Sequence, residues 1–293
     1  MSTRSSHLGS LPEQTLRGIA QVFFQDNVLT GVLVLVGLAL ANPRMAALAA
    51  LGSVAQTVTG RLTGRQEAAA RGLMGYNGAL VGAAAALDVP GWTAALVTIV
   101  AAALCVPVHA AFAWLLTRGP LSRRDLPVAT APFCTVAGVV HVLAQPAAGG
   151  ALSGGVALWP GAVHALFNGI AEVFLAAGWL VGVLLLAGIA LSSWRAAVWG
   201  LAGSALAAAI ALAAGLDRSG VTAGLFGYSP VLVAMGLGAT FRVERRLACR
   251  ILLVVLGTGL AIVLKVLLDT TGIPVYTWPF VLTLWLVLGG STR

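Results

Sequence analysis

Two polar residues, one of them ionisable, hold matching places in a repeated block. Gly18-Ile19-Ala20-Gln21-Val22-Phe23-Phe24 recurs as Gly169-Ile170-Ala171-Glu172-Val173-Phe174-Leu175, so Gln21 corresponds to Glu172. Glu172 lies in an apolar stretch, where an ionisable group is expensive and usually functional; the competing reading is a Glu close enough to an interface to be solvated. A second pair is Thr130-Ala131-Pro132-Phe133 and Thr277-Trp278-Pro279-Phe280. Each places a hydroxyl just before a Pro break, where it can line a passage or satisfy carbonyls that the break frees. A third pair is Gly72-Leu73-Met74-Gly75-Tyr76-Asn77-Gly78-Ala79-Leu80-Val81 and Gly224-Leu225-Phe226-Gly227-Tyr228-Ser229-Pro230-Val231-Leu232-Val233. Its small residues also suit close helix packing.

Enzymatic chemistry finds little support in these types and spacings. His164 and Glu172 are eight residues apart, about two turns if helix continues between them. No GxSxG, HExxH or paired-carboxylate signature accompanies them, and there is no GxxxxGK[ST] for ATP. His109, His141 and His164 show no ligand spacing, so neither a metal nor a cofactor is expected. Cys105, Cys134 and Cys249 are odd in number and imply no disulfide framework.

The elements that must carry these residues are set by composition. Of 293 residues, 59% are hydrophobic and 9% charged, where a soluble chain carries about a quarter charged. The chain is therefore read as all-α and integral to a membrane. Its net charge of +8 sits in short clusters between apolar runs, which argues against a nucleic-acid partner. Residues 1–17 lack the apolar core of a secretory signal and are expected to form a cytoplasmic tail. Asp26 is placed to cap or begin the first full span.

The paired blocks stand 151, 152 and 147 residues apart and keep their order, which marks a duplication. The first repeat is assigned to 18–145, a linker to 146–160 and the second repeat to 161–293. Apolar runs able to cross a ~30 Å hydrocarbon core are expected near 28–42, 45–60, 72–88, 92–117 and 127–145, and near 177–192, 195–214, 222–241, 247–268 and 274–290. The blocks at 18–25 and 169–176 are too short to cross and are read as half-spanning, re-entrant helices. Five spans per half, an odd number, insert the second half upside down. Walking the loops collects Arg4, Arg17, Arg61, Arg65, Arg71, Arg118, Arg123, Arg124, Arg195, Arg242, Arg245, Arg246, Arg250 and Arg293 on one side, and Arg44, Arg218 and Lys265 on the other. The positive-inside rule makes the first side, with both termini, cytoplasmic. Inverted repeats with broken helices are a transporter and channel architecture, with the substrate site between the halves.

The three paired motifs, spanning about Gly18 to Leu288, resemble the urea transporter family of bacteria and vertebrates. That resemblance implies a homotrimer in the cell membrane, each protomer holding one pore built from two inverted halves of five helices plus one half-spanning helix. It also implies channel-like passage of urea or related small amides down a gradient. Urea is planar, neutral and rich in N–H donors. A narrow slot must flank it with apolar faces and offer acceptors along its edge, and unpaired half-helix carbonyls are such acceptors.

By resemblance, Phe24 is an aromatic slot wall, and Val22, Val173, Leu80 and Leu232 line the constriction. Thr130 and Thr277 supply hydroxyls at its centre, while Gln21 and Glu172 face the pore from the half-helices. Leu175 stands where the family shows a second Phe, so the two slots are expected to differ. An ion-coupled transporter would need a buried set of ion-binding groups, and only Glu172 is placed for one; a membrane enzyme is the more distant reading.

Overall fold

The computed structural model describes residues 9–118, 122, 124–146, 158–241 and 246–290. The expected cytoplasmic residues Arg4, Arg123, Arg242, Arg245 and Arg293, and linker positions 147–157, lie outside the described residues. Among those described there are helices and no strands.

The helices are α1 (Leu11–Gln21), α2 (Val28–Ala41), α3 (Pro43–Leu62), α4 (Gln66–Ala70), α5 (Tyr76–Asp88), α6 (Thr93–Leu116) and α7 (Ala131–Ala144). They continue with α8 (Leu158–Ala171), α9 (Trp179–Ser192), α10 (Trp194–Ala213), α11 (Arg218–Ala223), α12 (Tyr228–Met235), α13 (Leu247–Asp269) and α14 (Trp278–Gly290). Each of the ten expected apolar runs holds one of them. Three, Thr93–Leu116, Trp194–Ala213 and Leu247–Asp269, are long and apolar enough to cross a membrane. Helices such as α2, α7 and α14 have 13 or 14 residues and reach only about 20 Å at 1.5 Å per residue. Several runs expected to span are therefore shorter than a full crossing.

The two short blocks differ from expectation at their starts. α1 begins at Leu11, inside the expected tail, because Ser10 and Glu13 form a reciprocal capping box ahead of Pro12. Likewise α8 begins at Leu158, inside the expected linker, and continues through a 3-10 turn at Glu172–Phe174. The chain then bends by 71° into Trp179–Ser192. Asp26 does not cap the next helix. Asn27 does, its side chain accepting from the Thr30 N–H at 3.0 Å, while Asp26 pairs with Arg17.

Equivalent contacts recur in both halves. Ser53 Oγ donates to the Thr15 carbonyl at 3.0 Å, and Ser204 Oγ to the Leu166 carbonyl at 2.7 Å. Asn42 caps α3 and Ser193 caps α10. The repeated blocks also lock to each other inside each half. A Cβ on Gly75 would come within 3.0 Å of the Gly18 Cα, and one on Gly227 within 2.8 Å of the Gly169 Cα. Gly72 and Gly224, with φ of 76° and 88°, turn the chain beside the backbone at Arg17–Gly18 and Asn168–Gly169. The close-packing role of these glycines is thus realised. The halves meet through α2 and α9, where Thr30 Oγ1 donates to the Gly188 carbonyl at 2.6 Å.

Candidate functional site

The last turns of the two short blocks come together. Phe23 and Phe174, fully buried counterparts, have ring centroids 5.9 Å apart. The chain turns away directly after each ring: Phe24 and Leu175 both adopt left-handed backbone, with φ of 60° and 59°. Such a conformation is uncommon outside glycine and persists where the surroundings dictate it. Here the Phe24 N–H bonds the Gln21 carbonyl and the Leu175 N–H the Glu172 carbonyl, each at 2.9 Å. Burial follows the same pattern in both blocks: Gln21 and Glu172 half-buried, Val22 and Val173 buried, Phe24 and Leu175 half-buried.

The Thr-x-Pro-Phe blocks supply the polar centre. Pro132 and Pro279 occupy the first turns of α7 and α14, where a missing N–H costs nothing, and the preceding threonines sit at the helix mouths. Thr130 and Thr277 face one another, their hydroxyl oxygens 2.6 Å apart and both residues buried. Their hydroxyls therefore meet across the halves. Cys134, one turn along α7 from Thr130, brings its Sγ to 3.1 Å from the Thr277 hydroxyl. Leu80 and Leu232, fully buried on α5 and α12, belong to the same apolar cluster as Val22, Val173, Phe23 and Phe174.

Charge is distributed unequally around this centre. Gln21 commits its amide nitrogen to the Arg71 carbonyl at 2.8 Å. Lys265 pairs with Asp269 at 2.7 Å and lies 5.7 Å and 5.9 Å from the Phe226 and Tyr228 rings. Two lateral cavities, of about 790 Å³ between α8, α10 and α11 and about 500 Å³ between α6 and α7, are lined by none of the ten candidate residues. Among the described residues no cluster of three or more His, Cys, Asp or Glu could hold a metal ion.

Several members of this neighbourhood carry little signal in the sequence. Asn77 accepts the Phe133 N–H on its side chain at 3.1 Å and so joins the glycine block to the threonine block; its place beside the repeated Gly-Tyr was the available clue. Phe241 and Phe280 pack on Phe24, with centroids 5.9 Å and 6.0 Å away, and Cys134 has no repeat counterpart able to bond, since Val281 takes that place.

Comparison with known proteins gives a consistent picture. The family model for urea transporters matches residues 13–292. Urea transporter 1 of Ovis aries is 29% identical over 312 aligned positions, covering 95% of this chain and 76% of its own length, and that of Capra hircus matches equally. Urea transporter 1 of Mus musculus is 38% identical over 124 positions, covering 40% of this chain and 31% of its own. The match runs through both copies of every repeated block, and the chain belongs to the urea transporter family.

Proposed function

We propose that the protein conducts urea and related small amides passively through a pore in each protomer, with the Thr130–Thr277 pair at its centre. The observation that carries this reading is the buried meeting of those two hydroxyls from opposite halves at 2.6 Å. It is a polar point in an apolar core. Gln21 and Glu172 offer edge acceptors at the half-helices, Val22, Val173, Leu80 and Leu232 narrow the passage, and Phe24 and Leu175 flank its two ends. Planar urea slides between apolar faces while its N–H groups exchange water for carbonyl and hydroxyl oxygens, which avoids the ~1–3 kcal/mol cost of a buried unpaired donor.

The architecture we infer is two inverted repeats of five membrane helices plus one re-entrant helix, in a homotrimer in the cell membrane with both termini cytoplasmic. The recurring Ser–carbonyl and Gly–Gly contacts support the repeat, and the basic-residue bias supports its inversion. Stopped-flow urea flux in proteoliposomes, with and without a proton or sodium gradient, tests the function. Gradient-independent flux is expected, and uptake that requires either ion would establish coupled transport instead.

A further inference from the structure

Tyr276 brings an aromatic ring to a place where its repeat counterpart has none. That counterpart is Ala129, and both adopt left-handed backbone, φ 43° and 50°, immediately before the paired threonines. Phe133 and Phe280 are counterparts as well. In one half-pair, Phe280 packs against Phe24 with centroids 6.0 Å apart. The same pair transposed to the other repeat is Phe133 with Leu175, which lacks a ring. The ring on Phe133 comes from Tyr276 instead, with centroids 4.9 Å apart and planes at 59°.

We propose that Tyr276 is the aromatic wall of the slot at the Leu175 end, supplying the ring that Leu175 lacks, and that Asp88 and His141 are positioning residues that hold it. The Tyr276 hydroxyl donates to Asp88 Oδ2 at 3.0 Å, and Asp88 Oδ1 lies 3.1 Å from His141 Nδ1. Asp88 ends α5, the helix that carries Leu80, and His141 lies on α7, which Thr130 precedes. The wall is thus tied to the helices that present the passage. A non-glycine residue at φ 43° needs its surroundings to over-determine it, and the hydrogen bond and the ring contact do so together. This end then selects by shape as the Phe24 end does, but its ring is held by a polar anchor where Phe24 is held by rings.

The inference rests on the pore reading above, and its test separates the two. Urea and N-methylurea flux are measured in the same proteoliposomes, so that protein amount cancels in the ratio. Tyr276→Leu should raise the methylurea-to-urea ratio about fivefold, the rate equivalent of one aromatic contact. Adding Leu175→Phe should return the ratio close to wild type, a rescue that a merely structural tyrosine would not permit. Tyr276→Phe and Asp88→Ala should each give the same smaller rise, because the ring remains but loses its anchor. An unchanged ratio in Tyr276→Leu, or no restoration by Leu175→Phe, overturns the wall. Should Tyr276→Leu fail to fold, an unchanged ratio in Tyr276→Phe overturns the anchored wall. Absence of urea flux in the wild type overturns the pore reading instead.

Discussion

The hydroxyl oxygens of Thr130 and Thr277 lie 2.6 Å apart across 147 residues of chain, and the Cys134 sulfur lies 3.1 Å from the same Thr277 oxygen. A hydroxyl has one proton and two lone pairs. Thr277 therefore keeps a partner in Cys134 when its bond to Thr130 opens, and Cys134 also bonds Thr130, though less strongly than Thr277.

That inequality predicts unequal mutants. Valine keeps the branched shape of threonine but removes the hydroxyl. Thr277→Val removes the cross-half bond and the stronger of the two Cys134 contacts together, while Thr130→Val leaves Thr277 with Cys134. Each lost hydrogen bond is worth ~1 kcal/mol, or several-fold in rate. Urea flux should fall several-fold in Thr277→Val, less in Thr130→Val and most in the double variant. Wild-type flux in a double variant of normal abundance would reduce the pair to a packing contact.

Phe23 and Phe174 anchor the two short helices on each other at full burial. Phe→Ala in a core costs ~3–5 kcal/mol through lost transfer energy and the cavity left behind. Both single variants should melt well below the wild type in mild detergent. The double variant should lose less than the sum, since the two share one contact. Strict additivity would show that the rings do not support each other.

Glycines that look alike in the sequence should separate in their tolerance of alanine. A Cβ at Gly72 would stand 2.5 Å from the Arg17 carbonyl carbon at a φ of 76°, so Gly72→Ala should abolish a monodisperse protein. Gly138, within α7, has nothing within 4 Å of a built Cβ, and Gly138→Ala should be neutral or stabilising by roughly 0.5–1 kcal/mol. Size-exclusion profiles and melting curves distinguish the two. Equal behaviour would contradict the close approach of the turn to α1.

The proposed inverted arrangement is checked from outside the cell. Single cysteines at Thr117 and Leu247, in a cysteine-free background, should resist an impermeant thiol reagent in intact cells and react in inside-out vesicles. One at Trp92 should show the opposite pattern. Labelling of the Leu247 site from outside would sink the inverted topology.

The sequence by itself determined the membrane class and the approximate helices, because an apolar run has one low-energy fate in lipid: helix with its backbone bonds closed internally. It also supplied the candidate pairs, since three blocks recur with their order and nearly their spacing kept. It was less exact at the short helices: α1 starts at Leu11 because of the Ser10 cap and not of hydropathy, and α8 starts at Leu158, ahead of the repeated block. Only the tertiary structure decided which duplicated residues meet. Nothing in the spacing of Thr130 and Thr277 distinguishes hydroxyls that repair their own Pro breaks from hydroxyls that bond across the halves. Tyr276 is the plainest case. Periodicity cannot show that its ring covers Phe133 and its hydroxyl reaches Asp88, 188 residues earlier. Such a contact is fixed by how two packed halves bring distant helix ends to one place, and a linear sequence carries no distance between them.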